Sequence, residues 1–425
     1  MSYERNFGNV TFNAIQNPPA YAVISLVSGT DIPSQPVYTD NAGPLAGSGI
    51  TKPFLQVSQR AIDQKIKNAY APAWNLSIDR RVGRGVFSVA YAGSHGVHLY
   101  DISNINNSTD GGTYLGDTNF GNRLNLGYTN MNFRSDHGYS HYDAMNLKYS
   151  VTNLMNKGLG ITANYTWSHS LDNLSSTFTD ASNGTQSGDY QLGYIDAFNP
   201  QLNYGNSDFD IRNRLNASLS WETPWFKSSG NAIARQALGG WGLGTIFSIR
   251  SGSPFSIYDC NNGNSGGSCP LWVAPGPVPT TGSASAPQGP NLFNYIALPS
   301  TGGVVANQGD SLGVPNCTGL FHTGCTYTLS GLPYPERNQY VGPGYWNIDM
   351  NFYKTFKITE RFGLQFRAEM YNILNHNNQY VNYLNLDVSS MGTPFVTASK
   401  GATFGIPGQP TDERRNIQFG AKLTF

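Results

Sequence analysis

The sequence predicts an all-β chain whose strands form one antiparallel sheet. Only 12% of the 425 residues are charged and 13% are aromatic, whereas soluble domains carry roughly 25% charged residues. Apolar and polar side chains alternate with a period of two in many segments, which is typical of strands with one apolar and one polar face. Helical 3.6-residue periodicity is nearly absent. The segments are also joined by alternately short and long connections, and antiparallel neighbours put every second connection on the same side of the sheet.

About ten strands are expected. The first, Tyr21–Val27, rests on the apolar run YAVISLV and alternates only weakly. The alternation is strictest at 159–167, 215–221, 346–352, 364–370 and 417–425. In chain order, the predicted strands are 21–27, 74–82, 86–92, 143–152, 159–168, 212–222, 238–249, 345–356, 362–372 and 415–425.

The connections separate by length onto two sides of the sheet. The short ones are 83–85, 153–158, 357–361 and the somewhat longer 224–237; the long ones are 93–142, 169–211, 250–344 and 373–414. Transmembrane β-barrels have this asymmetry, with short periplasmic turns and long outer loops. Soluble sandwiches and propellers give no reason for it. The sequence therefore predicts a portion of an antiparallel transmembrane β-barrel with long outer loops.

The two faces of these strands differ in charge. In the alternating segments the apolar parity contains no charged residue, as lipid requires, because a charge at the bilayer midplane costs roughly 2–4 kcal/mol. The charges lie on the other parity, where we expect a wet lumen: Arg214, Glu222, Asp349, Arg367, Glu369 and Lys422. Large aromatic residues at strand ends are expected at the two membrane interfaces: Trp167, Trp221, Trp241, Trp346 and Phe425. The alternative is that the tryptophans belong to the core of a sandwich.

Composition excludes several classes of protein. The net charge is zero, so the chain is not a basic nucleic-acid binder, and its aromatic content argues against disorder. The longest apolar run, Tyr21–Val27, is far shorter than the roughly 18 residues of a membrane helix. No basic-then-apolar secretory signal follows Met1.

Seven stretches resemble a known family in the family's own order. They are APAWNLSIDRRV with VAYAGSHGVHLY, SHYDAMNLKYS, ITANYTWSHSLDN, DFDIRNRLNASLSWETPW, GGWGLGTIFSIRSGSPFSI, NIDMNFYKTFKITERFGLQFRAEMYNILNH and RRNIQFGAKLTF. The chain resembles the C-terminal barrel portion of TonB-dependent outer-membrane receptors, and more closely their Oar-like subfamily, whose members often carry an N-terminal carboxypeptidase-regulatory-like domain.

The resemblance implies a barrel of 22 strands preceded by a signal peptide, an N-terminal extension and a plug domain. We therefore expect residues 1–425 to be the C-terminal portion of such a barrel, without plug or signal peptide, forming an open and incomplete sheet. The implied location is the outer membrane of a Gram-negative-type bacterium. The implied partners are outer-membrane lipid, the barrel-assembly machinery through the C-terminal strand ending at Phe425, an unidentified ligand, and the TonB energy-coupling complex only through missing N-terminal parts.

Candidate reactive residues are few. Cys260, Cys269, Cys317 and Cys325 all fall in the long 250–344 loop. On an oxidising outer surface we expect the local disulfides 260–269 and 317–325, although four cysteines allow three connectivities and a metal site with His322 is an alternative. The pairs His95/His98 and His137/His141 lack ligands at metal spacing, and we expect solvated histidines. The compact cluster Asp208, Asp210, Arg212 and Arg214 could bind calcium or substrate, but cross-strand pairing is the expected role.

No catalytic set or cofactor motif is present: the sequence lacks a P-loop, a His-Glu-x-x-His and a nucleophile elbow. We therefore expect no enzyme and no cofactor. The leading hypothesis is the barrel portion of a TonB-dependent receptor, in which outer loops capture a ligand. A passive porin or surface adhesin is the first alternative, and a secreted soluble all-β binding protein is the second. A plug encoded upstream would favour the receptor, and solubility without detergent would favour the secreted protein.

Overall fold

Antiparallel pairing between neighbouring strands organises most of this chain into one large sheet. The computed structural model describes residues 2–3, 57–106, 128–154, 158–175, 194, 197, 200–256, 337–338, 340–342, 344–359, 362–381, 396–398 and 414–425. Within them, the strands are β1 Ser2–Tyr3, β2 Val57–Ile62, β3 Tyr70–Ala71, β4 Ala73–Val82, β5 Gly85–Asn104, β6 Tyr128–Leu154, β7 Leu159–Asp172, β8 Gly205–Asn206, β9 Asn213–Glu222, β10 Trp241–Arg250, β11 Pro254–Phe255, β12 Tyr340–Val341, β13 Tyr345–Lys357, β14 Gly363–Tyr371, β15 Gln379–Val381, β16 Val396–Ala398 and β17 Asn416–Thr424. A helix, α1, spans Ala232–Leu238, and a short 3-10 helix spans Pro200–Asn203.

The main sheet has thirteen strands, in the order β1-β3-β5-β6-β7-β9-β10-β13-β14-β17, with β4 on β5, β8 on β7 and β2 on β6. All of its pairs are antiparallel except β2 with β6. Within the described residues, no pairing joins β4 to β17, so the sheet is open there. The predicted all-β antiparallel class is therefore confirmed. No helix of the described residues is long and apolar enough to cross a membrane.

Nine of the ten predicted strands are present, as β4, β5, β6, β7, β9, β10, β13, β14 and β17, and the predicted strand 21–27 lies outside the described residues. The predicted bounds 86–92 and 143–152 are too short, because β5 and β6 have 20 and 27 residues. Their extra residues were assigned to the 93–142 loop. Those residues extend beyond the ends of the neighbouring strands, where the chain does not contact lipid. They therefore lack the apolar alternation. The helix α1, which was not predicted, occupies the end of the 224–237 connection and includes Leu238, so β10 begins at Trp241 and not at the predicted residue 238.

Strand register places the apolar residues of neighbouring strands on one shared face. In the centre of the sheet, Leu219 of β9 lies opposite Ile161 of β7 and Thr245 of β10. Ser218, one residue earlier, lies opposite Thr162 and Ile246 on the other side. We call the side of Leu219 the apolar face and the side of Ser218 the polar face.

Apolar side chains are exposed on the apolar face, whereas most of the buried side chains among the described residues are polar. Ile78 and Phe419 are 64% and 71% exposed, yet Asp101 is 0% exposed and Arg337 3%. A soluble protein buries its apolar side chains and seldom exposes a large contiguous apolar surface. Lipid covers such a surface in an outer-membrane barrel. The strands β4, β7, β9, β10, β13, β14 and β17, with the adjoining parts of β5 and β6, are called the wall below.

A matched pair of substitutions tests the assignment of the two faces. Leu219→Arg places a charge on the apolar face near the middle of β9, and Ser218→Arg places it on the polar face. We expect Leu219→Arg to destabilise the folded protein in bilayers by roughly 2–4 kcal/mol, and Ser218→Arg to cost much less. Urea unfolding in phospholipid vesicles measures both. Equal losses for the two variants would contradict the assignment of the faces.

Candidate functional site

We call the end of the sheet that carries the long connections the outer end; there β5 and β6 rise above the wall as a polar extension. Beyond the ten residues of β5 that pair with β4, the strand continues to pair with β6 from His95 to Asn104. A bulge interrupts this pairing between Gly96 and Leu99, and His98 there has a φ of 55°. The extension brings the ends of the long connections together, on the side of the sheet opposite the short turns.

Arg337 is the centre of the most extensively bonded cluster in this region. Its Nε donates to the Asn203 carbonyl at 2.9 Å, and Nη1 donates to Ser175 Oγ and to Asp208 Oδ1, both at 3.1 Å. Nη2 donates to the Asp172 carbonyl at 3.0 Å and to the Asp172 carboxylate. The five acceptors match the five N–H donors of a guanidinium. One buried side chain therefore joins the end of β7 to the segment before β8.

Asn338 extends this cluster to the segment that follows β10. Its backbone N–H donates to Ser256 Oγ at 2.7 Å, and Nδ2 donates to the Asn206 carbonyl at 2.8 Å. Asn206 Nδ2 in turn donates a hydrogen bond to the Asn338 carbonyl at 2.9 Å. Glycine is required at position 205, because a Cβ there would collide with the Arg337 carbonyl. Arg337 and Asn338, with Asp172, Ser175, Asn203 and Asp208, are called the Arg337 junction below.

The junction holds two carboxylates and one guanidinium, so its charges do not balance. Partial burial raises the pKa of Asp208, the Asp172 charge raises it further, and Arg337 opposes both; the net direction is upward. The second carboxylate oxygen, Asp208 Oδ2, is buried and accepts no hydrogen bond within the described part of the chain. Protonation of Asp208 therefore relieves an unfavourable buried charge.

A second buried network links β5 to β6 in the extension. Ser135 Oγ donates to Asp101 Oδ1 at 2.6 Å, and the His137 backbone N–H donates to Asp101 Oδ2 at 2.7 Å. Burial raises the pKa of Asp101, while these two bonds oppose the rise. The Tyr194 N–H donates to Ser103 Oγ at 3.1 Å. Another long connection is thereby fixed to the extension, and burial raises the pKa of the Tyr194 hydroxyl.

The predicted charge cluster 208–214 is divided between several partners. Asp208 belongs to the Arg337 junction, whereas Asp210 accepts the Ser170 N–H at 2.8 Å and faces Arg212 at 3.5 Å. Arg214 lies opposite Thr166 and Arg250 in the wall. Among the residues that the structure describes, no group of three or more His, Cys, Asp or Glu is placed to hold a metal ion.

The histidines have separate partners. His95 and His141 stack with ring centroids 4.0 Å apart, and His98 Nδ1 lies 2.9 Å from Asp136 Oδ2. His137 Nδ1 lies 3.1 Å from Ser135 Oγ. Burial and the neighbouring His141 lower the pKa of His95, which lies just above the wall. His322 and the four cysteines, Cys260, Cys269, Cys317 and Cys325, lie outside the described residues.

The predicted lumen charges lie on the polar face of the wall. Glu369 accepts a hydrogen bond from Gln418 and lies 3.9 Å from Arg367. Asp349 accepts the Asn372 N–H at 2.9 Å. Glu222 faces Lys227 at 2.9 Å. Next to the free edge, β14 and β17 border a cavity of about 240 Å³ lined by Arg367, Glu369, Gln418, Phe419, Gly420, Ala421 and Lys422.

The predicted interface aromatics fall at opposite ends of the wall. Trp167 and Trp346 lie at the outer end, where Trp346 stacks on His376 with centroids 3.9 Å apart. Trp221 and Trp241 lie at the end with the short connections, and Phe425, 93% exposed, follows β17 at the same end. About eight residue steps of roughly 3.4 Å separate the two rows along a strand.

Sequence reasoning missed Arg337, Asn338 and Asp172 as a cluster. Arg337 and Asn338 sit in PERNQY, inside the long predicted loop 250–344, where no periodicity marks them. Asp172 Oδ1 pairs with Arg337 although the two are 165 residues apart in the chain. A single sequence carries no signal for such a distant pair.

Removing the guanidinium tests the junction. Arg337→Met leaves Asp172 and Asp208 buried without their partner, and breaking a buried pair in this way costs about 3–5 kcal/mol. We expect hydrogen exchange at residues 170–175 and 203–208 to rise accordingly, while β9, β10 and β13 keep their protection. Arg212→Met is the matched control, because Arg212 is partly exposed and its contact with Asp210 is long, at 3.5 Å, so that we expect its loss to cost no more than about 1 kcal/mol. Unchanged exchange in Arg337→Met would show that Arg337 does not hold these segments together.

The raised pKa of Asp208 predicts a pH dependence. A carboxyl whose pKa is raised by folding stabilises the folded state below its unfolded value of about 3.9, and this stabilisation is lost as the pH rises through the folded-state pKa. We expect the intrinsic-rate-corrected exchange of residues 170–175 to be slower in mild acid than at neutral pH. Asp208→Asn should remove most of this dependence. The same pH dependence in Asp208→Asn would show that another group causes it.

Comparison with solved structures finds several proteins that are similar to this chain. The chain is similar to the outer membrane transporter YddB from Escherichia coli, with 9% identity and a TM-score of 0.41, over 87% of this chain and 34% of that one. It is also similar to the ferripyoverdine receptor of Pseudomonas aeruginosa, with 10% identity and a TM-score of 0.37, over 84% and 27%. The chain is similar as well to the iron transporter FrpB from Neisseria meningitidis, with 9% identity and a TM-score of 0.36, over 86% of this chain and 33% of that one.

This chain spans about a third or less of the length of these solved structures. A comparison with curated proteins finds no match. The profile of a family described as "Outer membrane beta barrel domain" matches residues 1–418. This match covers nearly the whole sequence and agrees with the open antiparallel wall and its exposed apolar face. The chain belongs to the outer membrane β-barrel domain family.

Proposed function

We propose that this chain is part of the wall of an outer-membrane receptor that takes up a ligand by a TonB-dependent mechanism in a longer parent protein. The observation that carries the proposal is the Arg337 junction. It joins both ends of the 169–211 connection to both ends of the 250–344 connection, above a wall whose other face is polar. A receptor needs such fixed outer loops because a ligand binds more tightly to groups that are already ordered.

The polar face supplies a path for a hydrophilic ligand in this proposal. Gln418 Nε2 donates there to Glu369 and to the Tyr371 hydroxyl, and Arg367 lies 3.9 Å from the Glu369 carboxylate. Such groups favour water and a polar ligand over lipid. No residue of the chain is assigned a bond-making role, and no cofactor is proposed.

The Oar-like assignment and the TonB dependence rest on the sequence resemblance. In this proposal residues 1–425 form the C-terminal part of the barrel, and TonB acts through N-terminal regions of the parent protein. Phe425, which is 93% exposed at the end of the wall, is proposed to engage the barrel-assembly machinery. The two local disulfides in the 250–344 loop remain part of the proposal.

A passive porin or a surface adhesin is the second candidate, because a polar inner face also suits diffusion and fixed outer loops also suit adhesion. The family places the chain in the bacterial outer membrane, so the secreted soluble alternative is wrong. The receptor and the porin differ in one measurable property. Only the receptor requires energy coupling.

Solute depletion tests the proposal. Cells that express the full-length gene product are given a mixture of short peptides, linear oligosaccharides and iron–siderophore complexes, and the medium is followed by mass spectrometry. A receptor should deplete at least one class in cells with TonB and not in cells without it. Depletion that is independent of TonB would favour the porin. No expression-dependent depletion would contradict both transport functions and leave the adhesin.

A further inference from the structure

The connection between β9 and β10 exposes an unusual amount of apolar surface for its length. We call residues 223–240 the interface segment; it contains α1. Its exposed apolar side chains are Trp225 at 54%, Phe226 at 51%, Ile233 at 79% and Leu238 at 53%. Water is a poor environment for four such side chains in eighteen residues. Their exposure indicates that something other than water covers them.

Three contacts fix the segment to the apolar face. Trp225 packs edge-on against Trp221, with centroids 5.1 Å apart. Trp241 Nε1 donates to the Ala237 carbonyl at 3.0 Å, and the Lys354 ammonium donates to the Gly239 carbonyl. Trp221, Trp241 and Lys354 all lie on the apolar parity of their strands. The segment is therefore attached to the lipid-facing side of the wall, at its short-connection end.

The charged side chains of the interface segment are all basic. Residues 223–240 contain Lys227 and Arg235 but no Asp or Glu. Lys227 reaches back to Glu222, and Arg235 Nη1 donates to the Ser229 carbonyl at 2.9 Å. Asn231 caps α1 through its side chain. The segment is thus a compact, cationic and amphipathic structure whose backbone is already ordered.

We infer that the interface segment lies in the headgroup region of the periplasmic leaflet of the outer membrane and binds its phospholipid surface. The short connections of such barrels lie on the periplasmic side. Tryptophan and amphipathic helices with basic residues are favoured at that depth. The occupant is lipid because Trp225 packs on Trp221 and the segment is bonded to Trp241 and Lys354, and all three of these residues lie on the apolar face. This inference does not depend on TonB or on any ligand.

Depth-resolved fluorescence quenching tests the inference. Azidophenylalanine replaces Ile233 in the 425-residue chain and is coupled to the fluorophore NBD, so that the native cysteines stay intact. The matched control carries the same label at Ser228, an exposed polar residue of the same segment. Both positions are exposed, so neither label disturbs a buried contact. The proteins are reconstituted in vesicles of phosphatidylethanolamine and phosphatidylglycerol, with or without brominated acyl chains.

We expect bromine to quench the label at position 233 at least about twofold more strongly than the label at 228, as for an apolar side chain buried below the headgroups. Equal quenching at the two positions would overturn the inference. So would a blue-shifted but unquenched label at 233, because that result indicates contact with protein, such as a second copy of the chain. The vesicles contain neither TonB nor a transported ligand, so this measurement is independent of the proposed function.

Discussion

Backbone hydrogen bonding between neighbouring strands is the interaction on which the rest of this structure depends. In hydrocarbon an unpaired N–H or C=O has no water to bond with, so each strand of the wall must pair with its neighbours. The register from β4 to β17 provides this pairing across nine wall strands. The same register places every second side chain on one face. The apolar face, including Leu219 and its neighbours Ile161 and Thr245, is a direct consequence.

The two ends of the wall are ordered by different interactions. At the outer end the chain leaves lipid, and polar side chains replace the strand ladder as the means of ordering the long connections. Arg337 uses all of its donors for this purpose, and Asp101 serves a second network in the β5–β6 extension. At the other end the connections are short, and aromatic residues such as Trp221, Trp225 and Trp241 occupy the boundary. The outer end is thus held by buried charge, whereas we propose that the opposite end is held by contact with lipid.

The sequence was sufficient to predict the wall, because a strand with one face in lipid must alternate strictly. β9 and β14 follow that rule residue by residue and were predicted to within one residue at each end. The outer extension of β5 and β6 obeys no such rule, since both of its faces meet polar surroundings, and its strands were predicted too short. The Arg337 junction could not be predicted, because its partners are brought together only by the folded sheet. The helix α1 was missed because seven residues are too few to establish a helical period.

One face of the wall is expected to contact lipid along its whole height. Photolabelling of the unmodified chain in vesicles that contain a diazirine-bearing phospholipid, mapped by mass spectrometry along β9, measures this contact directly. We expect labels on Leu215, Leu219 and Trp221 and none on Asn216 or Ser218. Comparable labelling of both sets would contradict it.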